Sequence, residues 1–384
     1  MTPFASFLYF GLLLYVVVPA LIARGLNVKP RHVILPTTLV MVVVQYGLGP
    51  TGLALAPWRD IGKILGFTAG ELVVAAAFLR ARLAGHRRYA FYAAVLLALV
   101  PLALEKFLPR DTASIVGFLG ISYLTFRALD VIFVIQDGLV KDLPVGEYVA
   151  YLLFFPAISA GPIDRYRRFR TDYRRERSRD ELLADLDRAV ERIFRGLLYS
   201  FVIGRLIDFY WLTPLSHAAG LRATVQYMYA YSMYLFFDFA GYSAFAIGVG
   251  YLFGVRMPEN FNKPFLAKNI VEFWTRWHIT LYTWLRDHVY GRFVLAATKG
   301  RWFTNRYVSG YLGSLLAFGL MGVWHGTAAR YICYGLYHAV LMAGYGMLTQ
   351  PGRPRRFHLP PLVAQLVTFN LVCFGFLIFS GRLF

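Results

Sequence analysis

Two short stretches hold residues able to do acid–base chemistry. Residues 273–287 read FWTRWHITLYTWLRD and residues 319–326 read GLMGVWHG, so each sets a histidine directly after a tryptophan. An imidazole titrates near neutrality and can take a proton from a hydroxyl and pass it on, which suits a general base. Wound as one helix, Trp274, Trp277, His278, Leu281, Tyr282 and Leu285 share an apolar stripe. Glu272, Arg276, Thr280, Thr283, Arg286 and Asp287 fall largely off it, and Glu272 is spaced to pair with Arg276. A lone histidine on such a face is most often a satisfied core residue. His325 alters that balance, because it ends an apolar run, precedes Gly326 and has no Asp or Glu near it in sequence. Ionisable groups at membrane depth are costly and usually functional, so two such histidines point to one interior cavity.

The elements that must position them are membrane helices. The chain has 384 residues, is 58% hydrophobic and 17% aromatic, and only 16% of it is charged, which exceeds what a soluble domain can bury. Apolar runs near spanning length recur at 3–23, 33–55, 89–104, 113–134, 196–212, 225–253, 308–324, 331–348 and 362–379. A further span at 61–79 requires Glu71 to sit inside the bundle. The segments do not alternate polar and apolar residues, which excludes a β-barrel reading. The prediction is an all-α polytopic membrane protein of about ten spans, with residues 1–384 forming a single integral membrane domain.

A formal charge of +19 would suggest nucleic acid in a soluble chain, but its distribution here gives another reading. Loops 24–32, 80–88, 163–195, 256–306 and 351–358 hold 30 of the 40 lysines and arginines. Placing them in the cytoplasm satisfies the positive-inside rule and leaves both termini outside, with no nucleic-acid partner. Loops 80–88 and 163–195 then share a side, so the helices 89–104 and 113–134 are the two crossings between them. Segment 147–162, YVAYLLFFPAISAGP in its core, must dip in and return, as its Pro156, Gly161 and Pro162 suit. The parts are N-terminal helices (1–146), this re-entrant segment, a cytoplasmic helix of alternating charge (163–195), a catalytic core (196–348) and a C-terminal helix (361–384). In the charged helix Asp185 is spaced to pair with Arg188, and Glu191 with Arg195. Arg127 with Asp130, and Arg205 with Asp208, read as neutralising pairs within spans. Asp238 lacks a local partner and is a candidate tunnel residue. His217 and His338 read as structural. Cys333 and Cys373 lie in apolar runs, form no metal-binding spacing and do not suggest a disulfide or thiol nucleophile.

At this point the residues resemble a family. ENFNKPFLAKNIVEFWTRWHITLYTWLRD at 259–287, with GYSAFAIGVGYLFG before it and MGVWHG after it, is similar to the membrane-bound O-acyltransferases. Within that superfamily, LLFFPAISAGPIDRYRRF at 152–169 and YICYGLYHA at 331–339 look most like the D-alanyl transfer branch. The resemblance implies a ring of tilted helices around a central tunnel, with His325 and His278 as the catalytic histidines. It implies D-alanine carried as a thioester on the phosphopantetheine of an acidic D-alanyl carrier protein, with no cofactor or metal bound by the chain itself. A hydroxyl of an envelope polymer such as teichoic acid would receive it, directly or through membrane or extracytoplasmic partner proteins. Trp274, Trp277, Tyr282, Asp238 and Trp324 become tunnel candidates. Tyr282 stands where that branch usually has serine, a change that bears on tunnel width. On 288–306, Val294 and Leu295 among Arg292, Lys299 and Arg301 offer a small apolar contact ringed by positive charge, suited to an acidic carrier. No GxSxG elbow is present, which favours direct acyl transfer over a covalent acyl-enzyme. A polysaccharide O-acetyltransferase, a transporter and an inactive scaffold are the competing readings.

Overall fold

A computed structural model describes residues 2–48, 58–86, 88–108, 115–350 and 359–384. The basic loop 351–358, residue 87 of the loop 80–88, residues 49–55 of the span at 33–55 and residues 113–114 of the span at 113–134 lie outside the described residues. By its internal contacts the chain divides into two compact units, Met1–Leu197 with Tyr242–Pro258, and Leu198–Gly241 with Glu259–Phe384.

The first unit holds α1 (Phe7–Gly25), α2 (Pro30–Gly47), α3 (Arg59–Leu83), α4 (Arg88–Phe107), α5 (Ile121–Gln136), α6 (Val145–Leu153), α7 (Tyr166–Arg174) and α8 (Arg179–Gly196). Glu71 of α3 is buried, as that span requires. Segment 147–162 is broken as its prolines suggest: α6 gives way to a 3₁₀ turn at Phe155–Ala157 and then to irregular, almost wholly buried backbone.

Buried charges in this unit find partners far away in sequence, which corrects two expected local pairs. Arg127 does not neutralise Asp130. Its guanidinium donates to the carbonyls of Tyr151, Leu152 and Phe154 at 3.3, 3.0 and 3.4 Å, satisfying orphan acceptors at the end of α6. Asp130 instead takes hydrogen bonds from the Arg165 guanidinium and the Tyr166 N–H, both at 2.9 Å. Asp185, expected to pair with Arg188 on a solvated face, is fully buried and meets Arg256 at 2.9 Å, Arg177 at 3.4 Å and Arg24 at 3.6 Å. The Glu191–Arg195 pair forms as expected. α8 starts where Ser178 and Glu181 form a reciprocal capping box.

π-Helical turns at Leu197–Gly204, which begin on the last residue of the first unit's opening stretch, and at Asp208–Leu212 lead into the second unit. Helix α9 (Leu221–Leu252) gives this unit its residues up to Gly241. Short helices α10 (Ile270–Trp274), α11 (Ile279–Leu285) and α12 (Gly291–Lys299) follow, then α13 (Arg306–His325), α14 (Ala329–Leu348) and α15 (Pro361–Ser380). Helices α13 and α14 meet backbone to backbone. A Cβ on Gly322 would lie 2.6 Å from the Tyr331 carbonyl oxygen, and one on Gly335 would lie 2.4 Å from that of Phe318. This small-residue contact fixes the end of α13, where His325 sits.

Among the described residues, six helices are long and apolar enough to cross a membrane: Phe7–Gly25, Arg59–Leu83, Arg88–Phe107, Leu221–Leu252, Tyr307–His325 and Pro361–Ser380. This is a multi-pass, all-α membrane protein. The other expected spans coincide with helical segments that are shorter or less apolar.

Candidate active site

The stretch around His278 is not one helix. Helix α10 begins where the Asn269 side chain accepts from the Glu272 N–H at 2.8 Å, and it ends at Trp274. His278 then adopts a left-handed backbone, φ 44° and ψ 49°, before α11 starts at Ile279. In a continuous helix the Ile279 N–H would bond the Thr275 carbonyl and the Thr280 N–H that of Arg276. Here Ile279 donates to the Asn260 carbonyl at 3.0 Å, and the Arg276 carbonyl accepts from the Asn262 N–H at 2.9 Å. Phe261 and Trp277 pair as an antiparallel bridge between these strands of contact. A non-glycine residue in that region costs on the order of 1–2 kcal/mol, a cost the bridge overrides. The predicted burial of Trp274, Trp277, His278, Leu281 and Leu285 holds although the helical stripe behind it does not. The Glu272–Arg276 pair forms at 2.6 Å.

Asn260, fully buried, is the residue that sequence reading passed over. Its Oδ1 accepts from the Thr280 hydroxyl at 2.6 Å and from the Thr280 N–H at 3.3 Å, and it lies 3.4 Å from His278 Nδ1. A backbone N–H can only donate, so the atom it faces is the amide oxygen. Nδ1 of His278 must therefore carry the proton, leaving Nε2 as the acceptor of the neutral ring. His278 lies outside the candidate spanning helices, and burial pushes its pKa down to about 3, with nearby His325 adding to the shift. Burial thus favours the neutral form of this ring.

His325 is half-buried at the last position of α13. Its ring meets Trp324 at 4.5 Å and Phe379 at 4.9 Å between centroids. Gly326 follows because a Cβ there would strike the Tyr331 ring at 2.6 Å. Trp324 stands beside both histidines, its ring 6.3 Å from that of His278.

A mainly apolar cavity of about 510 Å³ lies in the same unit, and Trp274, Tyr282, Tyr290, Val294, Phe318 and Met342 are among its walls. Two tunnel candidates, Trp274 and Tyr282, thus face open space, and the Ser-to-Tyr departure falls on the cavity wall. The expected sharing of this cavity by the two histidines is not seen: His278, His325 and Trp324 are absent from its walls, and so is Trp277. Trp277 packs in an aromatic cluster with Phe261, Phe273 and Phe376 at 5.1, 5.7 and 4.7 Å. Asp238 is exposed, bonded to Ser200 and near Arg205, and does not line the cavity either. The docking candidates divide too. Leu295 is 54% exposed beside exposed Lys299 and Arg301, whereas Val294 and Arg292 are half-buried and Val294 turns into the cavity. Successive residues on a helix point about 100° apart, which separates Val294 from Leu295.

His338, read as structural, is fully buried against Trp274, with ring centroids 5.0 Å apart. Cys333 and Cys373 are free thiols.

The profile of MBOAT, the membrane-bound O-acyltransferase family, matches residues 103–384. The teichoic acid D-alanyltransferase of Bacillus subtilis (strain 168) is 41% identical over 403 residues, covering 100% of this chain and 99% of that protein. That of Lacticaseibacillus rhamnosus is 36% identical over 406 residues, covering 99% and 97%. A probable alginate O-acetylase of Pseudomonas aeruginosa is 33% identical over 271 residues, covering 69% of this chain and 49% of that protein.

Proposed function

The chain belongs to the membrane-bound O-acyltransferase family, and from that premise we propose that it moves D-alanine from a carrier-protein thioester to a hydroxyl of a teichoic-acid-type envelope polymer. The strongest support is the end-to-end match to proteins named teichoic acid D-alanyltransferase, against a match over 69% of the chain to the alginate O-acetylase. In this reading about ten segments cross the cytoplasmic membrane, both termini lie outside, and the basic loops face the carrier.

The phosphopantetheine belongs to the carrier and supplies the thioester when the carrier is docked. Cavity volumes of about 300–1,000 Å³ are usual for small-molecule sites, and a mainly apolar space with tyrosine hydroxyls suits an amide-bearing chain. His325 takes the proton of the attacking hydroxyl as its oxygen bonds to the thioester carbonyl carbon. His325 then returns that proton to the departing sulfur as the C–S bond breaks, so no side chain is acylated. His278 holds its orientation through Asn260, which leaves Nε2 as the accepting nitrogen of its ring. Trp324 and Phe379 keep bulk water from the imidazole of His325.

Deleting the gene is expected to remove base-labile, ester-linked D-alanine from the envelope polymer, measured by mild alkaline release. Unchanged ester-linked D-alanine in the deletion strain would contradict the proposal.

At the docking end, Leu295→Asp is expected to weaken pull-down of the acidic carrier at least tenfold, because it sets a carboxylate against an acidic partner. Val294→Asp is expected to spare carrier capture while lowering turnover, because its carboxylate enters the cavity. The opposite pattern would reverse the assignment of the two faces.

Asn260→Ala is expected to lower turnover by roughly 10–100-fold, the range usual when a buried group that orients a functional histidine is removed. Asn260→Asp retains an acceptor oxygen and should recover part of the loss without a change in carrier affinity. Equal turnover in both variants would remove Asn260 from the site.

A further inference from the structure

The first unit contains a second cavity, of about 600 Å³, whose walls come from two of the basic loops: Arg24, Val28 and Pro30 on one side, Arg177, Arg179 and Leu183 on the other. Beneath it runs one continuous chain of ion pairs. Asp164 meets Arg168, which reaches Asp172 at 2.7 Å. Arg177 lies 2.7 Å from Asp172 and 3.4 Å from Asp185, and Asp185 also meets Arg24 and Arg256. Four guanidinium groups thus share three carboxylates. Glu176 also lines the cavity, its charge met by Lys29 at 2.8 Å, and the Arg175–Glu181 pair nearby cancels internally.

The two guanidiniums lining the cavity are the most buried of the four, with side-chain exposures of 5% for Arg24 and 3% for Arg177. They come together beside Gly254, whose φ of 77° suits glycine and where a Cβ would lie 3.1 Å from Arg24 Nη2 and 3.5 Å from Arg177 Nε. Nη1 of Arg177 has no hydrogen-bond partner among the described residues. An unmet donor on a buried cation is costly, and an anion's oxygen would satisfy it. The first turn of α8, an 18-residue helix, also borders the cavity through Ser178 and Arg179, and a helix N-terminus favours negative charge.

We propose that this cavity binds a phosphate group. Val28, Pro30, Leu182 and Leu183 on its walls suit the carbon skeleton of a phosphate ester, and two sources share that chemistry: an anionic phospholipid headgroup and soluble phosphate. Arg24 and Arg177 compensate the charge, and the exposed Arg179 stands at the rim.

The full chain, delipidated in a neutral detergent, would be followed by thermal unfolding while titrated with three probes. These are short-chain phosphatidylglycerol, short-chain phosphatidylcholine and inorganic phosphate, with ionic strength matched by chloride. A saturable rise in Tm with phosphatidylglycerol alone identifies a lipid headgroup, and one with inorganic phosphate identifies a soluble source; either supports the site. Leu183→Asp and Arg179→Glu alter exposed positions and leave the ion-pair chain intact, so both proteins should fold. Each is expected to raise the half-saturating concentration at least tenfold. No saturable shift in the wild-type protein, a shift with phosphatidylcholine alone, or equal titrations in wild type and both variants would overturn the proposal.

Discussion

His325→Ala is expected to abolish D-alanyl transfer while the protein inserts, folds and captures carrier as before. General bases typically contribute about 10²–10⁴-fold to rate. His278 is the nearest candidate to replace this one, but burial holds its pKa down to about 3, so it remains a poor proton acceptor. The truncation removes an imidazole that is only half-buried at the end of α13, so little packing is lost. The backbone contact of Gly322 with α14 stays in place to hold the helix end. Single-turnover transfer from loaded carrier would report the chemical step, and carrier pull-down would report docking. Transfer within tenfold of wild type by a well-inserted variant would remove His325 as the base.

The largest effect on stability is expected from Asp185→Ala. Asp185 is fully buried and faces Arg24, Arg177 and Arg256. Breaking a buried ion pair from one side typically costs about 3–5 kcal/mol, because the surviving charge is left unpaired. Here three guanidiniums lose their shared carboxylate, so the variant should unfold in detergent at much lower temperature or fail to accumulate. Glu191→Ala removes the partner of Arg195 in an exposed pair and should leave the unfolding temperature unchanged, since such pairs contribute little. Matching stabilities for the two variants would show that Asp185 does not anchor the first unit.

These charged residues mark where the sequence stops being legible. Apolar runs announce helices directly, because hydrocarbon tolerates little else, and the helices appear where the runs lie. The partners of buried charges are another matter. Local spacing suggests Arg127 with Asp130 and Asp185 with Arg188, yet the closing contacts are the carbonyls at the end of α6 and arginines up to 161 residues away, as with Arg24. Helical periodicity likewise identified the buried residues of 273–287 but not the break at His278. That break is made by Asn260, whose carbonyl and amide oxygen take the N–H groups of Ile279 and Thr280. Nothing within the FWTRWHITLYTWLRD stretch announces such a capture. On α12, both apolar residues were legible as unusual among basic neighbours. Only the helix phase could separate Leu295, which faces outward, from Val294, which turns into the cavity.

D-alanyl transfer can be measured with purified protein in liposomes, given carrier loaded with radiolabelled D-alanine on its phosphopantetheine thiol. A hydroxyl-bearing glycerol phosphate polymer would serve as acceptor, and acetyl-loaded carrier as the competing donor. Ester-linked label is expected on the polymer from the D-alanyl donor, lost with His325→Ala, and little or none from the acetyl donor. Efficient acetyl transfer without D-alanyl transfer, or labelling by the His325→Ala protein at the wild-type rate, would contradict D-alanyl transfer with His325 as the base.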